Sequence, residues 1–346
     1  MPKNDRKSRN TATLSLRSPG DLLAELPGLL GYHPVDSLVT VLTQDRTLRC
    51  VMRMDLDQID DEAADRIISV ANRAEADTVY AVVYAKFAGE DLPHHSQIDD
   101  LHHRLDESGV HLADVLLVDD ARYWSYLCQD LRCCPPEGRP IRGGTPVLEA
   151  ERVRSGLPAV VESRREAASV YRARPDLEPT PDALRAAELL LSRPTEARGR
   201  IAVEAVRSLA QLLDDGQLGL DPVDDQLDDT LRAALVTLIQ DIQVRDLLLG
   251  TFASSPGSLD GPVEVLIRAA ITAPEEMRPR IAATAAALLA ADGTNPVALW
   301  AMVDLAEDES LAALVQAGVE QGFPPDLVRG TFAEALPTVR ERLTAS

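Results

Sequence analysis

Apolar and polar positions change their period along the chain, and the change divides it. Ser18-Pro19-Gly20-Asp21 sets a hydroxyl ahead of a proline, with Leu22, Leu23 and Leu26 behind it, and predicts a helix that Pro27 closes. After the loop Gly31-Tyr32-His33-Pro34, Ser37 to Thr43 is a continuous apolar strand. Gln44 to Thr47 turns the chain. Leu48 to Leu56 returns as a second strand, with Leu48, Cys50, Met52 and Met54 on one face and Arg49, Val51, Arg53 and Asp55 on the other. Asp60 to Ala76 carries Ile67, Val70, Ala71 and Ala74 in one stripe, the spacing of an amphipathic helix. Thr78 to Ala85 is apolar on both faces and predicts a buried central strand. Ser96 with Asp99 three residues on predicts a helix start, and Ile98, Leu101 and Leu105 then point inward as far as Gly109. Leu112 to Val118 predicts another buried strand, and Tyr123 to Cys128 a last one with Trp124, Tyr126 and Cys128 on one face. Crossover helices between hairpins imply a mixed sheet covered by helices.

The pattern then breaks. Eight of the 23 prolines and four glycines, Gly143-Gly144 among them, fall between Pro135 and Pro181, which reads as a connector with short helices near Val147 to Arg154 and Val160 to Tyr171. Beyond it every segment has the helical period. Thr180 is an N-cap with Pro181 at the first helical position. Further helices are expected at about 196–213, 224–249, 262–272, 279–291, 296–305, 311–320 and 325–335, with no fixed repeat length. The fold class is therefore an α/β N-terminal domain with a mixed sheet and crossover helices, plus an all-α C-terminal helical domain. The expected divisions are a flexible basic arm at 1–17, a mixed α/β domain at 18–136, a Pro/Gly-rich connector at 137–181 and an all-helical domain at 182–346.

Charge narrows the partners. There are 56 acidic residues against 35 basic ones, a net charge of −21, and such a surface repels phosphates and anionic lipid. General nucleic-acid binding and membrane binding are therefore not expected, and the partner is an unknown protein or a small molecule. The longest apolar run, Ile281 to Ala291, falls short of the ~20 residues of a membrane span. The start of the chain is polar and basic, without the apolar core of a secretory signal, and four cysteines are too few for a disulfide framework, so a cytoplasmic location is expected.

No phosphate loop, H-E-x-x-H, G-x-S-x-G or G-x-G-x-x-G occurs, so no cofactor is assigned. Four constellations remain. A hairpin brings the start of its first strand beside the end of its second, so Asp36, Ser37, Arg53 and Asp55 gather at one strand end, with His33 in the loop before them. They are the candidate catalytic residues, although structural ion pairing explains the same group equally well. Tyr123 to Cys134 holds three of the four cysteines. Trp124, Tyr126 and Cys128, with His33, are candidate binding residues.

Cys128, Cys133 and Cys134 are the residues to weigh as metal ligands, but C-x(4)-C-C departs from structural zinc spacing and adjacent cysteines are not expected to aim at one ion. These thiols are instead expected to pack the end of the last strand, with no metal. His94-His95 and His102-His103 read as solvated histidines, and Asp221, Asp224, Asp225, Asp228 and Asp229 as carboxylates favoured by a helix start.

The chain resembles the domain-of-unknown-function family number 4192, found mainly in actinobacteria. The residues carrying the resemblance are Leu16 to Leu23, Pro27-Gly28-Leu29-Leu30-Gly31-Tyr32-His33-Pro34, Asp36 to Val39, Arg53 to Leu56 and Trp124 to Pro135 with Gly138. The helical half matches more loosely, around Trp300 and Gly322-Phe323-Pro324-Pro325. The resemblance implies a shared domain and supplies no activity. The reading that follows is a ligand- or protein-binding module without catalytic activity. The alternatives are an enzyme using the strand-end Asp, Ser and Arg, and a thiol- or metal-dependent regulator. From the net charge of −21, random duplex DNA at physiological salt should not bind. Fluorescence anisotropy checks this, and a micromolar, salt-dependent complex would overturn it.

Overall fold

A computed structural model describes residues 18–89, 91–141, 146–154, 159–214 and 229–345. The basic arm, Gly143-Gly144 and the acidic residues Asp221, Asp224, Asp225 and Asp228 lie outside the described residues. The chain divides into two compact units. One takes the residues up to Ala64 together with Ala76–Ala167, and the other takes Asp65–Glu75 with the residues from Ala168 onward.

The first unit opens with α1 (Pro19–Leu30), whose start is a reciprocal cap: the Asp21 N–H donates to Ser18 Oγ and the Ser18 N–H to the Asp21 carboxylate. The helix does not close at Pro27. A proline removes one N–H, but Leu22, Leu23, Leu26 and Leu30 keep a buried face across it, and the stop comes at Gly31, left-handed with φ 86°. Strands β1 (Ser37–Gln44) and β2 (Thr47–Asp55) form a hairpin turned by Asp45 and Arg46, both at positive φ. After α2 (Asp61–Arg73) come β3 (Thr78–Tyr84), α3 (His95–Glu107), β4 (His111–Asp119), β5 (Arg122–Ser125) and β6 (Arg139–Pro140).

The six strands form one mixed sheet in the order β2-β1-β3-β4-β5-β6, with β3 and β4 parallel and the other neighbours antiparallel. Its centre is apolar on both faces: Leu38, Val39, Leu42, Val79, Val82, Val83, Val115 and Leu117 are all buried. Ser37 stands opposite Asp55 on one side and Tyr84 on the other, so the start of β1 and the ends of β2, β3 and β4 share one end of the sheet.

Helix α3 begins one residue before Ser96. This puts Ser96 inside the first turn, where its hydroxyl bonds Gln97, while His95 pairs with Asp99 at 2.9 Å. Residues 137–181 contribute β6, α4 (Val147–Arg154) and α5 (Arg164–Ser169). Helix α4 is anchored at its start by the buried carboxylate of Glu25, which accepts the N–H groups of Val147 and Leu148, each at 2.9 Å. Gly28 permits that approach, since a Cβ there would lie 2.7 Å from the Leu148 Cβ.

The second unit is helical: α6 (Pro181–Glu188), α7 (Thr195–Asp214), α8 (Asp229–Leu238), α9 (Ile242–Ser254), α10 (Asp260–Ile271), α11 (Arg278–Asp292), α12 (Pro296–Leu305), α13 (Ser310–Glu320) and α14 (Pro325–Ala345). The run Ile281 to Ala291 is the centre of this unit, a helix buried on every side and flanked by α10, α12, α13 and α14. Alanines at most of its positions let those neighbours approach closely. The single helix expected over 224–249 is two among the described residues, because Asp241 caps a new start by accepting the Gln243 N–H. The last helix, expected to end near Ala335, runs on through Pro337, since Leu336 and Leu343 continue an apolar stripe against Leu247. In the same unit the Arg73 guanidinium lies 4.9 Å over the Phe323 ring. No helix among the described residues is long and apolar enough to cross a membrane.

Glu25→Ala should leave two amides at the start of α4 without their charged acceptor and lower the stability of the protein by ~1.5–3 kcal/mol, read by urea unfolding.

Candidate functional site

The strand-end residues share one end of the sheet, where Arg53 bonds Asp55 and the others bond neighbouring backbone. Arg53 and Asp55, both on β2, pair at 2.6 Å. Ser37 is fully buried, and its hydroxyl donates to the Val35 carbonyl at 3.0 Å. Asp36 is exposed, sits at φ 45° and offers its carbonyl to the Leu56 N–H. The loop before it is pinned by a parallel bridge between Tyr32 and Val161, with the His33 N–H on the Val161 carbonyl and the His33 side chain in solvent. Burial raises the pKa of the Tyr32 hydroxyl, partly offset by the nearby guanidinium charges of Arg53 and Arg164. Burial alone pushes that of Tyr84 up. Arg53 Nε is buried without a hydrogen-bond partner among the described residues.

The cysteine segment departs from its sequence reading. Strand β5 stops at Ser125 instead of running to Cys128, because the Ser125 hydroxyl accepts the N–H groups of Leu127 and Cys128 and bends the chain out of the sheet. The same hydroxyl donates to Asp114 Oδ1 at 2.8 Å, which ties the bend to β4. Burial raises the Asp114 pKa, and the bonds from Ser125 and the Val115 amide oppose the rise. Tyr126 leaves the β5 face and donates its hydroxyl to the Pro93 carbonyl at 2.6 Å. A tight turn follows, in which the Asp130 carbonyl accepts the N–H groups of both Cys133 and Cys134 and the Asp130 carboxylate accepts that of Arg132.

The chain then doubles back as β6. Trp124, its ring tilted against that of Phe87 at 4.7 Å, donates to the Pro136 carbonyl at 2.9 Å, and Arg122 donates to the carbonyls of Glu137 and Gly138.

The result of these turns is convergence. The sulfurs of Cys128, Cys133 and Cys134 lie within 4.8 Å of one another. Adjacent cysteines are not expected to aim at one ion, yet the turn closed by Asp130 brings both sulfurs to within 4.8 Å of Cys128 without a positive-φ residue between them. Nor are these thiols packed in an apolar core. Cys133 is exposed and the other two are half-buried. Hydrogen bonding from the Cys134 thiol and from the Asp130 backbone lowers the Cys128 pKa, whereas burial pushes that of Cys134 up to about 12. Arg139 directs its guanidinium at the Cys133 sulfur, 3.8 Å away. The fourth cysteine, Cys50, is a half-buried thiol on β2 whose pKa burial raises.

Sequence reasoning missed Asp114, Ser125 and Arg139. A signal existed in the turn formers Asp130, Pro135-Pro136 and Gly138, which place a reversal immediately after the cysteines.

Residues 19–326 match the family described as Domain of unknown function (DUF4192). The chain belongs to this family. Both the strand-end group and the cysteine hairpin fall inside the part of the chain that DUF4192 covers, as do the helices from α6 to α13. No curated protein and no solved structure matches the chain.

Gly138 holds the return of the hairpin at φ 73°, and a Cβ there would lie 2.4 Å from the Trp124 ring. Gly138→Ala should cost ~1–3 kcal/mol and shift the Trp124 fluorescence, measured together in one urea titration.

Proposed function

We propose that the protein is a cytoplasmic, non-catalytic binding module and that the cysteine hairpin is its ligand site. One observation carries this reading: three thiols on a surface hairpin converge within 4.8 Å, with Cys133 open to solvent. Thiols brought together without a disulfide suit a reducing compartment, which supports the cytoplasm. The strand-end group supports the absence of catalysis. Its only hydroxyl nucleophile, Ser37, is buried and gives its proton to a backbone carbonyl rather than to a base, and Arg53 and Asp55 neutralise each other. The charge of −21 argues against nucleic acid and anionic membranes as ligands and leaves a small molecule, an ion or a protein.

The test uses phenylarsine oxide, which bridges two thiols placed within reach of one arsenic; two As–S bonds form and the oxide oxygen leaves with the two thiol protons as water. Native mass spectrometry of the full chain should show one adduct, stable to a monothiol and removed by a dithiol. The adduct should persist in Cys50→Ser and vanish in the double variant Cys133→Ser/Cys134→Ser. A folded, chelator-stripped protein that takes no adduct, or one whose adduct survives the double substitution, would overturn the reading.

A further inference from the structure

Taking the hairpin as the ligand site, we infer that Cys128, Cys133 and Cys134 bind one divalent thiophilic metal ion of the zinc type, leaving its fourth coordination position open to an outside ligand. The inference rests on the reading just given and adds the chemical class of the ligand.

The spacing fits. A tetrahedral zinc with Zn–S bonds of about 2.3 Å needs sulfurs about 3.8 Å apart. Sulfurs already within 4.8 Å of one another stand close to that spacing. The backbone is set independently of any ion: Ser125 fixes the Cys128 amide, Asp130 fixes those of Cys133 and Cys134, and Asp114 ties Ser125 to the sheet. A site held this way loses little freedom when it binds.

Charge chooses the ion. Three thiolates, formed as three thiol protons pass to solvent, leave a net charge of one negative around a divalent ion and two around a monovalent one. The Arg139 guanidinium lies 3.8 Å from Cys133 Sγ, a positive charge beside the cluster that suits the divalent case. Soft thiolate donors favour zinc over magnesium, calcium or manganese.

The open position follows from the donor set. Among the described residues no histidine, carboxylate or further cysteine joins the three sulfurs, and Cys133 lies on the solvent side. Structural zinc sites close with four protein ligands, whereas three protein ligands leave room for water or an exchangeable donor.

The full chain, purified without chelator or added metal, should contain about one zinc per molecule. Co(II) substituted for zinc should give thiolate-to-cobalt charge transfer and the ligand-field bands of a tetrahedral ion, and added imidazole should shift those bands. Cys128→Ser should abolish the charge transfer, while its metal-free form should unfold at a urea concentration similar to that of the metal-free parent. Arg139→Ala, which removes no ligand, should weaken zinc binding ~10-fold against a competing chelator.

Co(II) bands that ignore imidazole would overturn the open position, and preferential loading with monovalent copper would overturn the divalent assignment. A protein that takes phenylarsine oxide but neither zinc nor cobalt would sink the metal inference and leave the thiol site standing. One that takes none of the three would sink both.

Discussion

Strand β3 accepts β1 on one side antiparallel and β4 on the other parallel, and this single choice of directions determines what meets at each end of the sheet. It sends Ser37, Asp55, Tyr84 and Asp119 to one end. It also makes β4 run so that β5 must return toward Asp114. With β5 only four residues long, the chain leaves the sheet beside Asp114, and the bend that follows is anchored there through Ser125. The cysteine hairpin is therefore a consequence of strand direction as much as of its own residues. The apolar filling of β1, β3 and β4 stabilises that arrangement, since a register slip of one residue would turn a fully buried strand's partners out of alignment along its whole length.

The two groups of chemically capable residues differ in what their bonds leave unused. At the strand end, the Ser37 hydroxyl is spent on a backbone carbonyl and the Arg53 guanidinium pairs with the Asp55 carboxylate, which is how a structural polar cluster behaves. At the hairpin, the Ser125 hydroxyl and the Asp130 carbonyl hold the backbone amides, and the three sulfurs are left facing one another. The thiol pKa values diverge within the cluster: the hydrogen bond from Cys134 lowers that of Cys128, whereas burial first, and then the bond it gives, raises that of Cys134.

Much of this architecture is legible in the amino-acid order because period is a strong signal wherever burial is one-sided or complete. The strands Ser37–Gln44, Thr78–Tyr84 and His111–Asp119 and the cap at Ser18 could be read within a residue or two. One proline misled. Pro27, like Pro337, sits inside a helix because the apolar stripe continues past it, and a continuing buried face outweighs one missing hydrogen bond. The candidate site was harder. Naming Cys128, Cys133 and Cys134 needs only their rarity, but their convergence depends on a hydroxyl two strands' width from any pattern, Ser125 bonded to Asp114, and on a carbonyl at Asp130 accepting two amides at once. Such bonds have no periodicity, so nothing in the linear order announces them.

The sheet's outer margins have a further consequence for how the protein behaves in a crowded solution. On the β5 side the last strand is two residues long and ends in Pro140, which has no N–H to offer. On the other side β2 carries Arg49 and Arg53 and exposes its first residues to solvent. A foreign strand seeking a partner finds too few donors at one margin and a charged ribbon at the other, so the same short return that closes the cysteine hairpin also caps the sheet against growth by strand addition.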